Sequence, residues 1–159
     1  MVSLKNKKGF TIVELLIVIV VIGILATLVI VTFTGMQQKA RNTQRQTDIN
    51  AIQSHVEAFY AQNGFYPSIG DLTSSAVRSA QMKGLDPEAL LDPKQSTGTI
   101  SGTAVAANTY QYSYVASASS GTCVTDAQAD ADNPADTGCD TYVLTAHLEG
   151  GSDYVKQSN

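Results

Sequence analysis

The sequence predicts an α+β fold: one long N-terminal helix, membrane-spanning in its first half and amphipathic in its second, packed on a small three-stranded antiparallel sheet. Three observations predict it. Residues 15–38 carry no charge and are mostly Ile, Val and Leu, a run long enough to span a bilayer, which takes about 20 apolar residues at about 1.5 Å rise each. Further on, Ile49, Ile52, Val56 and Phe59 recur three, four and three residues apart, the spacing of one helix face and here of core packing. After residue 109 the period becomes two: Tyr110, Tyr112 and Tyr114 alternate with Gln111 and Ser113, as on one face of a strand.

The chain has 159 residues and a net charge of -4, which fits one small domain behind the apolar segment. Lys5, Lys7 and Lys8 precede that segment and the next basic residue is Lys39, so the positive-inside bias places the N-terminus in the cytoplasm and the domain outside. A secretory signal peptide is excluded, because its apolar region is about 7 to 15 residues long and ends at a small-residue cleavage site. A plain single-span anchor accounts for the lysines but gives no role to Glu14. An acid within an apolar helix costs about 2.5 to 3.5 kcal/mol at the bilayer centre, and is read as functional by default.

The stretch KKGFTIVE at residues 7–14 resembles the class III signal of type IV pilins and type II secretion pseudopilins: a short basic leader, a glycine, a phenylalanine, a glutamate at the fifth mature position and an apolar helix. The resemblance implies that a prepilin peptidase cuts between Gly9 and Phe10, and that the new amine of Phe10 is methylated. Residues 1–9 are then a cytoplasmic leader, 10–35 a transmembrane and filament-core helix, and 36–159 a soluble headgroup. It further implies assembly through Phe10 and Glu14, the carboxylate of one subunit pairing with the terminal amine of its neighbour. An unpaired carboxylate is costly in a low-dielectric bundle, whereas a paired one sets axial register. The partners implied are other pilin subunits in a homopolymer, the peptidase, an inner-membrane platform protein and an assembly ATPase. The implied location is the cytoplasmic membrane before assembly, then a surface filament. Pilins commonly carry proline at the position of Val31, where the helix melts in the filament; here that residue is absent.

The helix is expected to continue over residues 36–62. Asn63-Gly64 followed by Pro67 reads as its stop, with glycine in the left-handed cap conformation and proline unable to continue. Residues 63–108 read as a connector. Asp71 is expected to cap a first short helix, Asp86-Pro87-Glu88 opens a second, and 95–108, rich in Ser, Thr, Gly and Ala, reads as a loop. Residues 109–158 read as the sheet, its second strand over 142–148 and its third over 153–156 forming a hairpin across Gly150-Gly151. One long helix on such a sheet is the pilin architecture.

Cys123 and Cys139, an even count in an exported domain, are expected to form a disulfide within the loop 117–139. Free thiols are the alternative, and a zinc site with His55 and His147 lacks any recognisable ligand spacing. His55 is expected on the polar flank of the helix and His147 on a strand. Asp126, Asp130, Asp132, Asp136 and Asp140 crowd the same region. Calcium takes oxygen ligands from such loops, so Asp130, Asp132, Asn133 and Asp136 form a weak candidate calcium site; a solvated acidic loop is the competing reading. No other cofactor is implied.

No catalytic constellation is evident, and the sequence does not predict an enzyme. Cleavage would leave seven basic and fourteen acidic side chains, a charge balance that argues against direct nucleic-acid binding. The leading expectation is therefore a structural subunit of a type IV pilus serving adhesion, motility or uptake. The alternative is a type II secretion pseudopilin, favoured by the missing proline at Val31. A membrane-anchored binding module using residues 117–139 is a third reading.

Overall fold

The computed structural model describes residues 9–95, 97–106, 109–119, 122–123 and 136–158. The chain divides into two compact units, residues 1–39 and 40–159. One helix, α1 (Ile12–Asn63), runs through both.

In the first unit α1 is apolar on every side and uncovered. Ile12, Val21, Leu28 and Phe33 are all exposed, and the helix is long and apolar enough to cross a membrane. Thr27, Thr32 and Thr34 turn their hydroxyls back onto carbonyls of the preceding turn, so these side chains need no outside partner in an apolar medium.

In the second unit α1 buries Arg45, Ile49, Ile52, Val56 and Phe59. The helix ends at Asn63, as expected: Gly64 adopts φ +81° and its amide donates to the Tyr60 carbonyl at 2.8 Å. The connector holds α2 (Ile69–Thr73), α3 (Ser75–Gln81) and a 3-10 turn, Pro87–Leu90, one helix more than expected. Asp71 does not cap α2. Ser68 does, and Asp71 is the reciprocal third residue of a capping box, its carboxylate accepting from the Ser68 amide at 2.8 Å. The expectation took the acid for the cap because it passed over the serine that fits after Pro67. Asp86 caps the 3-10 turn, as expected.

Strands β1 (Ser113–Ser117), β4 (Thr141–Ala146) and β5 (Tyr154–Gln157) form an antiparallel sheet in the order β1-β4-β5. Two further strands, β2 (Thr122–Cys123) and β3 (Asp136–Thr137), pair in parallel. Of the three alternating tyrosines only Tyr114 lies in a strand. Tyr112 is buried just before β1, while Tyr110 is exposed. Its ring lies under Lys94 Nζ, 4.1 Å from the centroid, an exposed cation–π contact in place of a seat in the core. His147 likewise falls just past the end of β4, where its ring bonds Asp153 and the Val105 carbonyl.

The core joins the α1 stripe to Leu72, Met82, Leu90, Ile100, Tyr112, Tyr114, Tyr142 and Leu144. Each large apolar side chain so buried contributes about 1.5 to 3 kcal/mol. The tyrosine hydroxyls are placed as well as buried. Tyr112 donates to Asp48, Tyr142 to Glu57 and Tyr114 to the Pro67 carbonyl, at 2.7 to 2.8 Å. Burial, and for Tyr112 and Tyr142 the acceptor carboxylates as well, pushes these phenols well above their ordinary range.

Candidate functional site

Gly9, Phe10 and Thr11 precede the helix in non-helical backbone, and all three are exposed. The residues expected to flank a cleavage point thus lie outside the helical hydrogen-bond ladder, with Phe10 82% exposed. Thr11 and Glu14 then start the helix together. The Thr11 amide and hydroxyl each donate to Glu14 Oε2 at 2.7 Å, and the Glu14 amide donates to Thr11 Oγ1 at 3.2 Å. This is a capping box, which satisfies two of the donors that a helix N-terminus leaves orphaned. The T-x-x-E spacing was a sufficient signal for it, but reading Glu14 only as an awkward acid in an apolar run concealed Thr11. Glu14 Oε1 has no partner among the described residues. The carboxylate therefore has a local partner at one oxygen and capacity for a cation at the other.

Cys123 and Cys139 form the expected disulfide, with Cα atoms 5.0 Å apart. Cys139 is fully buried, and its residue pairs with Tyr66 in an isolated bridge just beyond the end of α1. Gly138 beside it lies so close that a Cβ there would overlap the Phe65 ring. Of the candidate calcium ligands, Asp130, Asp132 and Asn133 lie outside the described residues, as does the side chain of Asp136. Among the described residues no cluster of His, Cys, Asp and Glu could hold a metal ion. His55 is half-buried on α1 beside an open surface cleft.

An ion-pair network in the headgroup had no clear sequence signal. Glu149, in the β4–β5 turn, accepts from Arg41 at 2.7 Å through both oxygens, from Arg45 Nη1 at 2.9 Å and from Lys94 Nζ at 2.9 Å. Arg45 also forks onto Asp92 at 2.6 and 3.0 Å with its side chain 0% exposed. Asn42 secures the turn by exchanging two hydrogen bonds with the Glu149 backbone. The hydrogen bond from Arg41, joined by those from Lys94 and Arg45, holds the Glu149 carboxyl well below the usual carboxylate range. Burial pulls the Arg45 guanidinium down, but Asp92 and Glu149 more than offset it, so it stays charged.

Residues 4–30 match the family model for the prokaryotic N-terminal methylation motif. The chain is similar to Type II secretion system core protein G of several bacteria. It is 34% identical to that of Dickeya chrysanthemi over 40% of this chain and 42% of the relative. For Escherichia coli K12 the figures are 32% over 46% and 51%, and for Vibrio cholerae 30% over 55% and 58%. The chain thus spans about half the length of the curated relatives it matches. No solved structure matches it. The motif, these relatives and a long helix on a three-stranded antiparallel sheet together support the resemblance to type IV pilins and type II secretion pseudopilins.

Proposed function

We propose that the chain is a structural subunit of a type II secretion pseudopilus, polymerised through its N-terminal helix. The observation that carries the reading is a helix apolar on every side, uncovered from Ile12 to Met36, whose one acid in that stretch, Glu14, has an oxygen without a partner among the described residues. Such a segment is stable only in lipid or against copies of itself. The similarity to Type II secretion system core protein G supports this reading over a surface pilus.

A prepilin peptidase cuts the exposed Gly9–Phe10 bond, which removes the three lysines of the leader and leaves one ammonium at Phe10 for methylation. The subunit waits in the cytoplasmic membrane with its headgroup outside. An incoming subunit then brings Glu14 to the amine of a neighbour, exchanging a solvated or Thr11-held carboxylate for a charge-assisted pair. A platform protein and a cytoplasmic ATPase drive the extraction.

Mass spectrometry of the mature chain is expected to find methylated Phe10 at its N-terminus. Glu14→Ala is expected to be processed normally and to assemble poorly, and normal filaments from that variant would refute the mechanism. Deleting the gene separates the filament types: loss of exported enzymes without loss of sheared surface fibres marks a pseudopilus. The second reading, a surface pilus, is favoured by the Cys123–Cys139 disulfide, which resembles the C-terminal disulfide region of pilins. Abundant surface fibres built from this chain would establish it instead.

A further inference from the structure

Two of the cations that hold Glu149 are more exposed than it is. The side chains of Arg41 and Lys94 are 26% and 32% exposed, that of Glu149 13%. The pairing therefore leaves the positive groups outermost, with the carboxylate beneath them. Arg41 commits Nε and Nη2 to Glu149, and its Nη1 has no partner among the described residues. Tyr110 lies on the same face, 42% exposed, with its ring under Lys94 Nζ. Tyr112 and Tyr114 of the same alternation are buried, so core packing gives no reason for a large ring at the surface beside two cations.

Chain connectivity limits where this face can lie. Arg41 is three residues past Gln38, the last of the uncharged run, and three residues of chain reach at most about 11 Å. As a helix the run of residues 15–38 is about 36 Å long. That exceeds a hydrocarbon core of about 30 Å, beyond which a headgroup layer extends about 5 to 7 Å on each side. With the run seated across the core, Arg41 and the groups it touches are held within reach of the headgroup layer.

We propose that Arg41, Lys94 and Tyr110 form a face that seats on the phosphate groups of a phospholipid surface while the subunit waits in the membrane. This rests on the membrane-spanning reading above and adds to it a lipid contact made by the headgroup. Arg41 offers its uncommitted guanidinium nitrogen to one phosphate, and Lys94 is a point charge for a second. Tyr110 sets its ring against the lipid and its hydroxyl toward water, the placement that enriches tyrosine at membrane–water interfaces. Exposed ion contacts are individually weak and screened by salt, so extraction into a polymer breaks the contact readily.

The chain has three arginines, Arg41, Arg45 and Arg78, and of these Arg45 is buried and Arg78 lies on α3. Full-length chain labelled with 15N-arginine is reconstituted in bilayers of phosphatidylethanolamine and phosphatidylglycerol. Solid-state nuclear magnetic resonance then reads the dephasing of guanidinium nitrogens by lipid 31P. The signal of one arginine in the three is expected to dephase, and Arg41→Lys is expected to remove that dephasing. Because Arg41 also holds Glu149, a second measurement uses the unaltered chain. A spin label on the lipid headgroup is expected to broaden the Tyr110 ring signals more than those of Tyr60, which is equally exposed near the other end of α1. Absence of arginine dephasing, dephasing that survives Arg41→Lys, or equal broadening of the two tyrosines overturns the lipid contact, while a span protected from hydrogen exchange leaves the membrane reading standing. A span that exchanges freely refutes that reading, and the contact falls with it. In a phosphate-free detergent, added inorganic phosphate is expected to leave the Arg41 signals in place; a shift there overturns the lipid surface as the source of the phosphate.

Discussion

Glu14 and Arg45 lie on one helix, each beside apolar residues, and the fold treats them differently. Arg45 is fully buried, and its guanidinium donates to Asp92, Glu149 and Asn42. Its partners come from the connector, the β4–β5 turn and the preceding turn of α1, so the headgroup alone completes it. Glu14 is exposed, held at one oxygen by Thr11, and has no partner at the other among the described residues. The apolar neighbours follow the same division: Ile52 is 0% exposed and Ile22 59%. Where folding satisfies a charge and covers its neighbours, the segment belongs to stability. Where it leaves both open, the segment is left for another molecule.

Five substitutions test this contrast, each in full-length chain in detergent, with headgroup unfolding followed by near-ultraviolet circular dichroism of its seven tyrosines. Arg45→Ala is expected to have the largest effect, a loss of about 3 to 5 kcal/mol, because it leaves Asp92 buried without its cation. A loss under about 1 kcal/mol would mean that the network is incidental. Ile52→Ala is expected to cost about 2 to 5 kcal/mol, whereas Ile22→Ala on the same helix should stay within about 0.5 kcal/mol of wild type. Equal effects from the two would break the comparison.

Glu149→Gln probes the network by pH. The folded-state pKa of Glu149 is depressed, so its contribution is fully present above the unfolded value of about 4.3 and is lost as pH falls through the lower folded value. The stability gap between wild type and variant is therefore expected to be constant from neutral pH down to about 5 and to shrink in stronger acid. A gap that widens on acidification would contradict the assigned sign. Thr11→Ala should have the smallest and most local effect. It removes a cap worth about 0.5 to 2 kcal/mol to the first turn, speeding hydrogen exchange at Val13 and Glu14 while the headgroup midpoint stays put.

The N-terminal methylation motif, the span of α1, its stop at Gly64, the disulfide and the three-stranded sheet were all legible, because each rests on local chemistry or on a strong period. Misplacements occurred where two local signals competed. Asp71 was read as a cap because Asp is a favoured N-cap residue, yet Ser68 stood in the better position. Tyr110 shared the alternation of Tyr112 and Tyr114, but Lys94 drew its ring to the surface. The Glu149 network joins residues as far apart in sequence as Arg41 and Glu149, and no periodicity reports pairings of that separation.

The sequence by itself determined the apolar segment, its single acid and the methylation-type motif that spans its start, since hydrophobic length and peptide-bond neighbours act without tertiary contacts. It also set the sheet's place in chain order and the even cysteine count. Only the tertiary structure decided which charges are spent inside the molecule. Arg41, Arg45 and Lys94 converge on Glu149 because the β4–β5 turn returns to α1, while Arg78 and Lys83 remain without a carboxylate among the described residues. Charge is a property of composition, but neutralisation depends on distances of a few ångströms, and the folded backbone sets those.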